Sequence, residues 1–271
     1  GIVLKSTGAA ACEDIAITNC VVSSFCNAIK AGTETTGGFK NVSISNCVIK
    51  PSKEKGKPIW DTPRIGVSGI SLMIVDGGIL EGFTVNNITI HGTESPIYIR
   101  LGNRARPHTP GAVVNQIGEV KNISISNVIA HNAGTWGSSI TGLEGFPIKN
   151  ISLNNIQIFS KGGLKRGDFK TTVEEDEKGY PHAITYGNLP SHTFFIRHAE
   201  GISIDNMIIG TNKTDSRYPI IVDDVKNLQI RDISWKNADG TKPLVKGQSI
   251  TNYQIEEPLG WKGSVHFELL D

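Results

Sequence analysis

The chain of 271 residues carries 27 basic against 26 acidic side chains, a formal net charge of +1, and that balance draws no polyanion or membrane by bulk attraction. No run approaches the roughly 18 to 20 apolar residues of a membrane-spanning helix, and no phosphate-cradling glycine loop sits between a strand and a helix. Ile outnumbers Leu by 36 to 13, beside 20 Asn and 30 Gly, which favours pleated surface and frequent turns over helix.

In chain order the apolar runs alternate between two kinds. GIVLKS opens the chain and DIAITNCVV follows from Asp14. Next come NAIKAG and NVSISNCVI (from Asn41), GISLMIV and GFTVNNITI (from Gly82), PIYIRL and NISISNVIA (from Asn122). SSITGL and NISLNNIQI (from Asn150), FFIRHA and GISIDNMII (from Gly201), PIIVDD and NLQIRDISW (from Asn227) complete the series. The nine-residue phrase thus occurs seven times, with period-2 alternation and then an Asn at 19, 46, 87, 127, 155 and 206, replaced by Asp232 in the last. The shortest intervals, 26 to 28 residues, are too short for a four-stranded propeller blade, and the alternation excludes helical repeats. The pattern predicts an all-β fold, a parallel β-helix whose coils each hold two or three short strands. It forms a single domain over residues 1–271, with the excess of the longer intervals leaving as loops. The 161–192 segment is the largest such loop and is expected to border a groove. The repeated Asn is expected to stack at a coil corner and satisfy turn backbone, in preference to serving as a glycosylation acceptor at Asn87, Asn122 and Asn150.

The other strands carry the candidate site. Aligned on their alternation, they place Lys5, Lys30, Met73, Arg100, Thr141, Arg197 and Asp223 in one outward column. Coils lie about 4.8 Å apart, so these cations read either as a solvated face with local ion pairs or, in preference, as an open, elongated groove for an acidic polymer, with Glu34, Asp76, Arg104 and His198 nearby. His182 and His192 read as solvated loop residues. Tyr180 and Tyr186 suit either sugar stacking or packing under a loop. The charged run from Lys165 to Lys178 reads as a mobile solvated loop, and Pro58 to Pro63, with Trp60, as an ordered loop over the groove. Cys20 and Cys47 share an offset and are expected to stack as buried thiols. The spacing of Cys12, Cys20, Cys26 and Cys47 is not that of a zinc site, so neither metal nor cofactor is implied.

GIVLKST and the segment CEDIAITNCVVSSFCNAIKAGTETTGGFKNVSISNCVI resemble the central coils of glycoside hydrolase family 28, the polygalacturonase-like right-handed β-helix enzymes. PIYIRLGNRARP, SSITGLEGFPIKNISLNNI and YPHAITYGNLPSHTFFIRHAEGI resemble a bacterial branch of it. The resemblance implies inverting hydrolysis of an acidic, galacturonic-acid-containing polysaccharide or oligosaccharide by a secreted or periplasmic enzyme, with no nucleic-acid or membrane partner. One carboxyl group must protonate the leaving oxygen while another activates water. The family's Asp pair stands immediately before the strand read here as GIVLKS, so it is expected upstream of Gly1, with this chain as the C-terminal part of a longer β-helix. The family's Gly-His-Gly and Arg-Ile-Lys motifs are replaced by Cys26-Asn27-Ala28 and Ser71-Leu72-Met73. Within the chain, Glu34 and Asp76 are therefore the catalytic candidates. Lys5, Asn27, Lys30, Arg100, Arg104, Arg197 and His198 are the candidate substrate-binding residues, Arg offering a bidentate grip on a sugar carboxylate. A β-helix polysaccharide lyase and a non-catalytic carbohydrate-binding or structural fragment are the alternatives.

Overall fold

A strand of alternating residues can bury only one face, and a chain that repeats such strands must turn between them and stack like on like. The computed structural model describes residues 1–53, 66–110, 113–236 and 241–270, and in it the named strands pair only in parallel. The predicted parallel β-helix is the observed fold. The segment with Trp60 lies outside the described residues.

One wall of the coil stacks β1 (Ile2–Ser6), β4 (Asn27–Thr35), β6 (Ser68–Ile74), β8 (Ser95–Leu101) and β10 (Ser138–Thr141). The nine-residue phrases form the second wall, from β2 (Cys12–Thr18) and β3 (Val21–Ser24) through β5 (Phe39–Pro51), β7 (Ile79–His91), β9 (Glu119–Ala133) and β11 (Ile148–Gly162). The later strands β12 (Ser191–Lys213), β13 (Tyr218–Lys236) and β14 (Val245–Ile255) run through both walls, and β15 (Phe267–Leu270) pairs with β14.

Register is fixed by the apolar ladder. Ile15, Val42, Phe83, Ile123, Ile151, Ile202 and Leu228 are partners from coil to coil, as are Ile17, Ile44, Val85, Ile125, Leu153, Ile204 and Ile230. From Val42 onward these side chains are almost completely buried, each contributing about 1.5–3 kcal/mol of transfer free energy. A slip of one residue would send the whole ladder outward.

Corners make the ladder possible. The repeated Asn residues 19, 46, 87, 127, 155 and 206, with Asp232, all have φ between 51° and 56°, the left-handed region that short polar side chains tolerate best after glycine. Asn87 Nδ2 donates to Asn46 Oδ1 at 3.2 Å, and Asn155 Nδ2 to Asn127 Oδ1 at 2.6 Å. A second left-handed column, not expected from the sequence, begins each phrase: Asp14, Asn41, Gly82, Asn122, Asn150, Gly201 and Asn227 have φ from 53° to 71°. Asn41 Nδ2 donates to Asp14 Oδ1 at 3.1 Å and Asn150 Nδ2 to Asn122 Oδ1 at 3.0 Å.

The cysteines are free thiols. Cys47 is buried and continues an inward column through Ile88 and Val128, whereas Cys20, in the first coil, is half-buried.

The left-handed corner predicts an asymmetric mutational response. Replacing the exposed Asn127 by Ala should cost about 1–2 kcal/mol, because the polar side chain whose hydrogen bonds offset the strain of a Cβ in that region is lost, while Asn127→Gly, which has no Cβ, should recover most of the loss. Urea unfolding of both variants measures the difference.

Candidate functional site

Strands β6 and β8 are buried along their whole length, as is nearly all of β4, so both faces of this wall are covered. One face is the coil interior. The other is roofed by residues 163–190, which include the four-residue helix α1 (Ala183–Tyr186). Val173, Ala183, Tyr186 and Leu189 from the roof pack on Met73, Tyr98 and Phe195 of the wall. The expectation of a solvated loop at 165–178 is corrected here: most of its charged side chains face water, but its backbone and Val173 close over the strands.

The expected open cationic column is corrected in two respects. Met73, Arg100, Thr141, Arg197 and Asp223 are indeed register partners, but Lys30 pairs with Val3 and Ser71, two residues early. A register shift between β1 and β4 at Leu4 to Ser6 separates Lys5 from the same row. Nor is the column open. Arg100 is fully buried and its Nη2 donates to the roof carbonyls of Glu175 (3.3 Å) and Asp176. Arg197 is 8% exposed, and its Nη1 donates to the Val173 carbonyl at 2.5 Å. Buried cations need partners, and here backbone carbonyls supply them.

His198 is a corner residue, with φ of 50°. Its Nδ1 lies 2.7 Å from Asp224 Oδ2 and its Nε2 3.3 Å from Glu175 Oε1, which ties the roof to the corner. The histidines expected in solvent are buried too. His182 Nε2 is 3.3 Å from Cys26 Sγ, and His192 packs near Trp235, with burial holding its imidazole pKa far below the ordinary value. Asn27 is 4% exposed beside Cys26.

What the structure does bring together is a charged cluster at the edge of the roof, from the ends of β4 and β6 and the segment after β8. Asp76, fully buried, accepts from Arg104 Nε (2.9 Å) and Nη2 and from the Arg106 backbone N–H (2.9 Å), and its Oδ2 lies 3.0 Å from His108 Nε2. Burial alone would raise its pKa, but the bonds from Arg104, His108 and Arg106 outweigh burial and hold the carboxyl below its ordinary range. Glu34 binds Lys5 and lies 3.4 Å from Arg106 Nη2. Burial again pushes upward, and the Lys5 hydrogen bond and charge pull the carboxyl below normal. Both acids are therefore ionised at neutral pH. Neither is set up as a proton donor.

Lys30 is the unusual base. It is 8% exposed, and burial, aided by the Lys5 and Arg104 cations against the opposing pull of Cys26 and Glu34, lowers its pKa to about 8. The Tyr180 ring stands beside it, with Lys30 Nζ at 5.7 Å and Arg104 Cζ at 5.8 Å from the centroid. Arg106 and His108 were not singled out by sequence reasoning. Their mark in the sequence was the density of basic residues in RARPH, but Ala105 lies in the left-handed region with φ of 51°, so the bend that gathers them is not one that strand alternation would show. Among the described residues no group of three or more His, Cys, Asp or Glu side chains is placed to hold a metal ion.

No family model matches the chain, and no curated protein or solved structure matches it. The geometry stands alone.

Two outcomes are expected. Asp76→Ala should destabilise the fold by about 3 kcal/mol, because it strands the Arg104 charge in a buried site, as read by thermal or urea unfolding. In carbon-13 spectra of methylated lysines, Lys30 should titrate near 8, far below the ordinary value of about 10.4, and Glu34→Gln should lower it further by removing an attracting charge.

Proposed function

We propose that the protein acts on an acidic, uronate-containing polysaccharide as a polygalacturonase-like glycoside hydrolase of family 28, binding it at the roof edge. The observation that carries this reading is the convergence of Lys5, Lys30, Arg104 and Arg106 around Glu34, with the Tyr180 ring alongside. The Lys5 and Arg106 side chains are 52% and 57% exposed. They can exchange Glu34 for a sugar carboxylate at small cost, since exposed ion pairs are worth about 0–1 kcal/mol. Arg106 supplies a fork and Lys5 a point charge. Tyr180, 41% exposed, offers a face to a pyranose ring.

Inverting hydrolysis needs one protonated and one ionised carboxyl group. Glu34 and Asp76 are both held ionised, so neither is the proton donor of this reaction. A second reading has its own observation. A buried amine with a pKa of about 8, with cations beside it that suit a uronate carboxylate, is this reading's base for removing the proton next to that carboxylate in β-elimination. The substrate class is the same.

Incubation with polygalacturonate separates the readings. Hydrolysis yields saturated reducing ends, and elimination yields products absorbing in the near ultraviolet. Binding with little hydrolysis is expected, because Glu34 and Asp76 are both held ionised and the absence of a proton donor costs about a hundredfold to ten-thousandfold. Arg106→Ala should weaken binding of a uronate oligomer more than the roughly 0.5 kcal/mol of an unrelated surface change. Absence of any binding by calorimetry would end the polysaccharide reading.

A further inference from the structure

A second candidate site lies three strands along the wall from Asp76, between β12–β14 and the roof. There the outward side chains of Phe195 and Arg197, of Asp223 and of Lys246 and Gln248 line a cavity of about 320 Å³, closed above by residues 169–173. That volume is at the small end of the roughly 300–1,000 Å³ of small-molecule sites, so it suits a single ring in place of an extended chain.

Its arginine is half used. Arg197 Nη1 holds the Val173 carbonyl, but Nε and Nη2 are buried without a hydrogen-bond partner. These two nitrogens form one edge of the guanidinium, the edge that grips a carboxylate with two parallel bonds. The same molecule uses it so twice. Arg104 binds Asp76 through Nε and Nη2, and Arg217 binds Asp215 through Nε and Nη2 at 3.0 Å each. In Arg197 the edge is covered and idle, and because the guanidinium is one rigid plane, turning that edge toward the cavity exchanges the Nη1 bond to Val173 for two bonds to a carboxylate. An unpartnered buried N–H in a native structure calls for an explanation, ligand or water, and Lys246 adds a second cation to the same lining.

We propose that this pocket binds a small hydroxylated ring carboxylic acid, its carboxylate on Arg197 and Lys246, its ring on Phe195 and its hydroxyls on Asp223 and Gln248. The hydroxyls are required by Asp223. An acid without them would face a second carboxyl group and offer it no donor. Burial, with Asp224 adding and Arg197 and His198 opposing, raises the Asp223 pKa, as suits a carboxyl short of donors. The inference does not depend on the polysaccharide reading, because it rests on different side chains and on a ligand of one ring.

Calorimetric titration of the 271-residue protein tests it with three probes: galacturonate, galactose, which has a hydroxymethyl group in place of the carboxylate, and cyclohexanecarboxylate, which lacks hydroxyls. Galacturonate should bind, and the other two should bind at least about tenfold more weakly, the loss expected for charge-assisted or buried hydrogen bonds. Arg197→Gln should weaken galacturonate by a similar factor. Because that change can also loosen Val173, Lys246→Ala, which touches no roof carbonyl, serves as the second variant and should weaken it severalfold with an unchanged melting temperature. No galacturonate binding at millimolar concentration, or binding indifferent to both variants, overturns the site. Equal binding of galactose overturns the carboxylate assignment, and equal binding of cyclohexanecarboxylate overturns the hydroxyl contacts.

Discussion

A backbone held in the left-handed region at two corners of each coil is the constraint on which everything else depends. The two columns are five residues apart, as at Asn41 and Asn46 or Asn150 and Asn155, so each phrase has room for one short strand between fixed bends. Asn, Asp and Gly adopt this conformation at little cost, and the Asn amide satisfies its neighbour in the next coil. Once the bends coincide from coil to coil, the inward Ile and Val positions must coincide as well, and so must the outward ones. The rows that carry Arg100, Arg197 and Asp223 are therefore a product of the corners.

Stacked outward cations are normally a liability, and the molecule resolves it by placing oxygen opposite each. Three solutions appear side by side. Arg104 and Arg217 take carboxylates, Arg100 takes backbone carbonyls, and Arg197 takes one carbonyl and leaves an edge idle. Asp76, saturated by Arg104, Arg106 and His108, organises the segment after β8. Glu34, held by the partly exposed Lys5 and Arg106 and by the Thr33 hydroxyl at 3.4 Å, is the more exchangeable acid. The difference between them is how exposed the donors are, 11% and 9% for Arg104 and His108 against 52% and 57% for Lys5 and Arg106.

The fold was legible because its repeat is carried by side chains: alternation, a corner Asn and a coil of about 27 residues can be read without coordinates. The second corner was less visible, since Gly82 and Gly201 interrupt its Asn series although the backbone requirement is the same. Lys30 was misaligned because a slip of two residues keeps the same alternation, so residue type does not show that it pairs with Val3 and Ser71. The roof was hidden for a deeper reason. Arg100 and Arg197 recognise main-chain carbonyls, which every residue possesses, so the 165–178 run read as solvent-facing charge. The roof-edge cluster was partly legible, in Lys5, Lys30, Glu34, Asp76 and Arg104, and its remainder, Arg106 and His108, is gathered by a left-handed bend at Ala105 that residue type does not show.

Docking through main-chain oxygens has a consequence for how this surface can change over time. The wall grips Val173, Glu175 and Asp176 by their carbonyls, and Asn103 N–H grips the carbonyl of Glu177 at 2.7 Å. The path and length of that stretch are thus dictated, while the identity of most of its side chains is not. Substitutions there can redecorate the rim of both clefts without unfastening it, whereas a single inserted or deleted residue would shift every carbonyl out of reach of its arginine. Variation in this stretch should accordingly be rich in replacements and poor in changes of length.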